Sequence, residues 1–322
     1  MDNFAITGVA GYIAPRHLKA IQDTGNRLVA AVDPHDSVGI LDSYFPDASY
    51  FTEFERFDRH LEKLRRGNSS EKVDYVTICA PNNLHDAHMR LALRLGAHAV
   101  CEKPLVMNPW NLDLLQELES ESAGNIYTVL QLRLHPSLIA LRERILAGRN
   151  KKRFSVRLTY VTGRGRWYHY SWKGNEERSG GVITNIGIHF FDLLMWLFGS
   201  VREHEVYVNS KERAGGFIEL EHADVEWFLS INLEDVPQTD GQKTRTFRSI
   251  LIDGVETEFS SGFTDLHTRV YEDILAGGGF GIEHSRPSIE LVHGIRHAAV
   301  TEVKNRNGEV HPFVRKLCPS PK

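Results

Sequence analysis

A lysine that closes an apolar stretch, Val100-Cys101-Glu102-Lys103-Pro104, is the residue of this chain best placed for chemistry. Residues Ala97 to Cys101 read as a buried parallel strand, and Pro104 biases Lys103 toward an extended backbone. In an open α/β sheet, ligands bind beyond the carboxyl ends of the strands, so an amine there stands beside a bound cofactor. It can polarise a hydroxyl group or take its proton. A second group lies in Ser179-Gly180-Gly181-Val182-Ile183-Thr184-Asn185-Ile186-Gly187-Ile188-His189-Phe190-Phe191-Asp192. On a regular helix Asn185, His189 and Asp192 stand at i, i+4 and i+7 and share one face. Polar groups in line among apolar neighbours are costly to bury without partners. A lone Glu-Lys-Pro would read as a solvated turn, and a lone helical histidine as a satisfied core residue. Together, Lys103 and His189 point to proton-transfer catalysis, with Asn185 orienting the imidazole.

A cofactor is signalled upstream. Phe4-Ala5-Ile6-Thr7 reads as a short buried strand that runs into Gly8-Val9-Ala10-Gly11-Tyr12-Ile13-Ala14 and then a helix, with Pro15 in its first turn. A glycine turn between strand and helix lets backbone N–H groups approach a pyrophosphate at the positive helix end. The spacing departs from Gly-x-Gly-x-x-Gly: the first two glycines are one residue further apart, and Ala14 holds the third place. The next strand, Leu28 to Val32, ends at Asp33. A carboxylate at that distance accepts from both ribose hydroxyls and repels a 2′-phosphate, which selects NAD over NADP.

These residues need a scaffold, and the pattern supplies one. Phe51 to Arg66 reads as a helix, with Phe54, Phe57, Leu61 and Leu64 inward. Strand Tyr75 to Cys79, the segment Ala80-Pro81-Asn82-Asn83-Leu84-His85, another helix, the Glu-Lys-Pro strand and a final strand at Ile126 to Leu130 follow. Alternating strand and helix predicts a doubly wound parallel sheet over residues 1–131. Beyond Gln131-Leu132-Arg133-Leu134-His135-Pro136 and a helix to about Ala147, the period changes to two. Phe154, Val156, Leu158 and Tyr160 alternate with Ser155, Arg157 and Thr159, a strand with one wet face. Further strands near 201–210, 216–221, 225–233, 245–252 and 255–259 predict an α+β domain over 132–322 with a large, mostly antiparallel sheet. One face of that sheet could pack against another subunit.

Between the first of these strands and the next helix lies Thr162-Gly163-Arg164-Gly165-Arg166-Trp167-Tyr168-His169-Tyr170-Ser171-Trp172-Lys173. Such a run of aromatics and cations can stack on a nucleobase and pair with phosphates, or serve equally as an interface loop. Ser285-Arg286-Pro287-Ser288, at the start of a helix expected from about Pro287 to Val300, could bind an anion through free N–H groups, and a capped helix start explains it as well. His293 and His297, with Glu290 a turn before, lack a His-Glu-x-x-His pattern, and His85 and His88 lack cysteine partners. No bound metal is expected.

Composition sets the outer limits. A chain of 322 residues exceeds what one core usually holds, so two domains are expected. A formal charge of -4 gives no footprint for nucleic acid or an anionic membrane. No apolar run reads as a membrane span, and Met1-Asp2-Asn3-Phe4 does not read as a signal peptide. Three cysteines, Cys79, Cys101 and Cys318, make no disulfide framework and fit a reducing cytoplasm.

The glycine turn, Asp33, Ala80 to His85 and Glu102-Lys103-Pro104, in that order, resemble the oxidoreductase family that includes glucose–fructose oxidoreductase and inositol dehydrogenase. Gly11 to His17, Gln131 to Pro136, Arg164 to Gly174 and Asn185 to His189 are similar, more narrowly, to its WlbA/WbpB-type members. The resemblance implies that Gly8, Gly11, Tyr12, Ile13, Asp33, Ala80, Pro81, Asn83, His85, Glu102, Lys103, Gln131 and Trp167 line an NAD molecule. It implies that Lys103, Asn185 and His189 meet the substrate with Tyr168, while Arg133, Arg164, Arg166 and Arg286 are candidates for its carboxylate and diphosphate. Many members carry aspartate where this chain has Asn185, which shifts weight from His189 to Lys103. The implied reaction is oxidation of the C3 hydroxyl of UDP-N-acetylglucosaminuronic acid in bacterial surface-polysaccharide synthesis, with 2-oxoglutarate recycling a retained nicotinamide. The alternatives are another sugar or cyclitol dehydrogenase of the family and a nicotinamide-binding sensor without turnover.

Overall fold

Residues 1–67, 70–148, 152–237, 244–257, 265–303 and 310–318 are described by a computed structural model. Its first strand, β1 (Asn3–Thr7), is buried along its whole length, which is why it reads as an unbroken apolar run. Beside it lie β2 (Arg27–Val32), β3 (Ser49–Phe51), β4 (Tyr75–Ile78), β5 (His98–Cys101) and β6 (Ile126–Thr128). All pair in parallel, in the order β3-β2-β1-β4-β5-β6. The order reverses between β1 and β4, which opens a crevice at their carboxyl ends. Two differences from the sequence reading of this unit exceed one residue. Ser49–Phe51 is a short edge strand, so the helix expected from Phe51 begins at Phe54. The last strand ends at Thr128, not Leu130.

The chain divides into two compact units: Met1–His135 with Gly262–Arg286, and Pro136–Ser261 with Pro287–Lys322. The sequence reading gave everything after residue 131 to a second domain, whereas a late segment returns to the first. Helix Leu266–Leu275 packs its buried Leu266, Val270, Tyr271 and Ile274 in the first unit, where Val270, Tyr271 and Ile274 join the core of β1 and helix Ala14–Asp23. No linear period could announce that return, because it depends on which surface the helix finds.

The second unit holds a six-stranded sheet in the order β12-β11-β7-β10-β9-β8. Its strands are β7 (Phe154–Thr162), β8 (Val201–Asn209), β9 (Arg213–Leu220), β10 (Ala223–Ser230), β11 (Thr246–Ile252) and β12 (Val255–Glu256). Among the described residues of these strands, only β7 and β10 pair in parallel; the other neighbours are antiparallel. Residues 258 and 259, expected to continue the last strand, lie outside the described residues. Adjacent residues of β10 face opposite ways: Trp227 meets Phe191 edge-on at 5.2 Å, and Phe228 stacks on Phe313 at 4.9 Å. The face expected to be wet is therefore partly covered by helix Pro312–Leu317. Thr159 is buried there, its hydroxyl 2.9 Å from His311 Nε2.

Two further expectations change. The helical run Glu176–Phe198, 23 residues, is long and apolar enough to cross a membrane by length and composition alone. The sequence reading found no such run. Since 72% of its apolar window is buried inside the fold, core packing accounts for its composition. Helix Ile282–His297 begins five residues before Pro287, which stands inside it. Ser285 to Ser288 thus lie beyond the first turn rather than at a free helix start, and the anion site expected there is lost.

Candidate active site

The first unit builds its site around the crevice between β1 and β4. Gly8 follows β1 with φ +77°, and a Cβ on it would stand 2.6 Å from the backbone carbonyl of Cys79, the residue after β4. Only glycine lets these two strand ends approach. Gly11 N–H donates to the Gly8 carbonyl at 3.0 Å and closes the turn before helix Ala14–Asp23. Tyr12 is 83% exposed, while Ile13 packs on the core.

Asp33, just beyond β2, is tied to this turn. Its Oδ2 accepts from the Ala10 N–H at 3.0 Å and its Oδ1 from the His35 N–H at 2.9 Å. Each carboxylate oxygen keeps a free lone pair for a further donor. The Oε1 of Gln131 is buried with no hydrogen-bond partner among the described residues. A glycine cradle, an oriented carboxylate and an orphaned acceptor are what a bound dinucleotide would use, so these residues fit one.

Next along the crevice, Ala80 and Pro81 lead into a short 3-10 turn, Asn82–Leu84, with Asn83 exposed and His85 buried. His85 ties this segment to the lysine turn, its Nδ1 2.7 Å from the Pro104 carbonyl and its Nε2 2.9 Å from the Ala80 carbonyl. Burial lowers the His85 pKa, opposed by those carbonyls, so the neutral ring donates to one of them. The Lys103–Pro104 peptide is cis. Lys103 keeps 19% of its side chain exposed, whereas Glu102 turns inward. Glu102 was expected to line the cofactor. Its carboxylate instead meets His17 Nε2 at 3.0 Å, His267 Nε2 at 3.3 Å and Lys103 Nζ at 3.5 Å. Burial pushes the Glu102 carboxyl up, but Lys103 and the two histidines more than offset this and hold it well below the usual carboxylate range.

Sequence reasoning missed His17, His267 and Tyr271 as part of this cluster. Their available signal was polar residues within apolar helical stripes. The donor atoms of His17, Glu102 and His267 lie within 4.8 Å of one another, a set of nitrogen and oxygen donors of the kind zinc accepts. Histidines that the sequence reading had set aside as metal ligands have other partners here. His88 meets Thr7 Oγ1 at 2.9 Å, and His297 donates to the His293 carbonyl at 2.8 Å.

The candidate anion binders of this unit have partners. Arg133 donates to the His284 carbonyl at 3.2 Å and lies over the Phe280 ring. Arg286 pairs with Asp113 at 2.9 Å and reaches Gln116 at 3.3 Å, so its charge is already matched.

In the second unit, Asn185 falls in a π-helical turn, Ile183–Gly187, that runs into helix Ile188–Phe198. A wider turn shifts the phase of a regular helix, and such turns recur at functional sites. Within 182–194 only Asn185 and His189 are not buried, while Asp192 is 3% exposed. Of the three residues expected on one helix face, Asn185 and His189 are therefore the two that reach the surface. Asn185 Nδ2 donates to the Tyr168 hydroxyl at 3.0 Å. Tyr168 is buried, and burial raises its pKa against the Asn185 hydrogen bond. Around it, Arg164 and Arg166 are exposed and Trp167 is 56% exposed, with Lys173 5.8 Å from the Trp167 ring. The run expected to be a loop contains a short helix, Arg166–Tyr170.

Residues 3–130 match the family described as an oxidoreductase family with an NAD-binding Rossmann fold, and residues 142–236 its C-terminal alpha/beta domain. Among solved structures, the WlbA (WbpB) dehydrogenase of Thermus thermophilus with NAD and alpha-ketoglutarate is 52% identical, covering 97% of this chain and 100% of that one, with a TM-score of 0.91. The same dehydrogenase with NAD and UDP-GlcNAcA is 51% identical, with the same coverage and TM-score. Among curated proteins, the oxidoreductase YteT of Bacillus subtilis is 27% identical over 206 residues, 63% of this chain. This chain spans 44% of YteT's length, less than half.

Proposed function

The chain belongs to the glucose–fructose oxidoreductase and inositol dehydrogenase family, with its NAD-binding Rossmann fold and C-terminal alpha/beta domain, and on that premise we propose that it oxidises the C3 hydroxyl of UDP-N-acetylglucosaminuronic acid to the 3-keto sugar. The observation that carries this reading is the full-length likeness to a dehydrogenase solved with NAD and UDP-GlcNAcA. Lys103, at the carboxyl end of β5, fits it. When bound, NAD supplies the acceptor for the hydride from C3. Asp33 would select it through the ribose hydroxyls, and the turn from Gly8 to Gly11 would hold its diphosphate. Lys103 polarises the C3 hydroxyl or takes its proton as the carbonyl forms. His189, oriented by Asn185, is the acid–base partner, and Arg164 and Arg166 meet the anionic groups of the substrate. The second substrate is 2-oxoglutarate, which accepts a hydride and a proton to become the 2-hydroxy acid and so restores the oxidised cofactor. The setting is cytoplasmic synthesis of bacterial surface polysaccharide, by a homotetramer.

The test follows reduced-nicotinamide absorbance in the purified protein. Adding UDP-N-acetylglucosaminuronic acid should raise it, and 2-oxoglutarate should then lower it without added NAD. A flat response to the UDP-sugar, with or without supplied NAD, rejects the substrate. A rise that needs stoichiometric free NAD and ignores 2-oxoglutarate rejects the recycling alone.

A further inference from the structure

Glu102 divides its two carboxylate oxygens between two sets of partners. Oε1 faces His17 Nε2 at 3.0 Å and His267 Nε2 at 3.3 Å; Oε2 faces the Lys103 backbone N at 3.3 Å and Nζ at 3.5 Å. All of this lies in the first unit, with Glu102 5% exposed, His17 0% and His267 3%. Behind His17, its Nδ1 is 2.9 Å from the Tyr271 hydroxyl, which is 2.8 Å from Thr77 Oγ1.

The proton positions follow from the donor inventory. An ionised carboxylate only accepts, so both Nε2 atoms carry hydrogen. A neutral His17 then presents a bare Nδ1, which accepts from the Tyr271 O–H, and the Tyr271 oxygen accepts from Thr77. Every donor in the chain Thr77, Tyr271, His17 points toward Glu102. His267 Nδ1 has no hydrogen-bond partner among the described residues, so that ring is anchored through its Nε2–H. Two rigid imidazoles, one from the first helix and one from the returning helix Leu266–Leu275, thus fix a carboxylate whose other oxygen faces the lysine amine.

We propose that Glu102, clamped by His17 and His267 and backed by Tyr271, is a positioning residue that aims the Lys103 amine and balances its charge. This rests on the reading of Lys103 as the group that handles the hydroxyl proton. It gives His267 of the returning segment a part in catalysis that is exerted through Glu102. A proton gained by Lys103 would be met by a carboxylate that the protein already holds ionised and oriented.

The experiment uses the full chain and Glu102→Gln, which keeps the shape and removes the charge. The first readout needs no substrate: competitive acetylation with acetic anhydride, scoring Lys103 against the exposed Lys152 by mass spectrometry. Freed from the carboxylate 3.5 Å away, Lys103 should label about tenfold faster, the effect of losing one opposite charge at that range. An unchanged ratio overturns the proposal whether or not the UDP-sugar is the substrate. The second readout is turnover with UDP-N-acetylglucosaminuronic acid. Glu102→Gln should lower kcat about tenfold with KM within about twofold, and have no further effect in a Lys103→Met background. Equal losses in both backgrounds mark a merely structural role and overturn it. Should Glu102→Gln not fold, Tyr271→Phe removes one hydroxyl and should show the same pattern at about threefold, since it acts through one neutral hydrogen bond. Stoichiometric zinc held by His17, Glu102 and His267 in purified protein also overturns the proposal, since the imidazole lone pairs would then bind the ion.

Discussion

The imidazole Nδ1 of His85 lies 2.7 Å from the carbonyl oxygen of Pro104, joining the crevice segment after β4 to the turn that carries Lys103. With Nε2 near the Ala80 carbonyl, the ring braces the segments that follow β4 and β5, whose pairing ends at Ile78 and Cys101. Replacing His85 by Ala should cost about 2–3 kcal/mol, from a lost buried hydrogen bond and a small cavity. Turnover should fall about tenfold or more, because misplacing a catalytic group by a fraction of an ångström is enough. Urea denaturation and steady-state kinetics on one preparation check both; unchanged kcat would show that the brace does not govern the lysine.

Lys103→Met keeps much of the side-chain stem and removes the charge. It should lower kcat by about a hundredfold or more if proton transfer depends on the amine, with NAD affinity preserved. His189→Asn should match or exceed that loss if His189 is the main base, and show a milder one if Lys103 is. Calorimetric NAD titration alongside single-turnover rates separates the effects; near-normal turnover in either variant removes that residue from the mechanism.

Asp33→Ser leaves the Ala10 and His35 N–H groups with a weaker acceptor and removes the charge that repels a 2′-phosphate. NAD should bind more weakly, by about tenfold, and discrimination against NADP should relax. Calorimetry with both cofactors measures this. Tighter binding of NADP than NAD by the unmodified protein would overturn the reading of Asp33.

Acid should destabilise the fold through histidines buried in neutral form. Burial lowers the pKa of His88 to about 4, aided by His85, and that of His311 to about 3, aided by Arg157. His17 and His85 are shifted in the same direction, also chiefly by burial. Below the ordinary value of 6.5 the unfolded chain binds protons that the native state refuses, so stability falls with pH from 6.5 toward about 4. Each such group contributes a slope of about 1.4 kcal/mol per pH unit at most within that window. Glu102, held low, acts in the same sense only below its ordinary value of 4.5, so the upper part of the window belongs to the histidines. Denaturation midpoints at pH 7.5, 6, 5 and 4.5 measure the slope, and a flat profile above pH 5 would contradict it.

Local sequence determined the first sheet almost completely, because each fully buried parallel strand is a short apolar run bounded by a turn residue. Gly8, Asp33 and Lys103 were legible for the same reason: each stands at a strand end, where backbone geometry alone decides what a residue can reach. The edge strand Ser49–Phe51 was not, since it is only partly buried and too short to show a period. Periodicity put Asn185, His189 and Asp192 on one helix face, but it announced neither the π turn Ile183–Gly187 nor the burial of Asp192, since both depend on packing. The setting of Glu102 belonged to the tertiary structure alone. Its partners His17 and His267 are 85 and 165 residues away, and only the packing of helix Leu266–Leu275 on helix Ala14–Asp23 brings both imidazoles to one carboxylate oxygen.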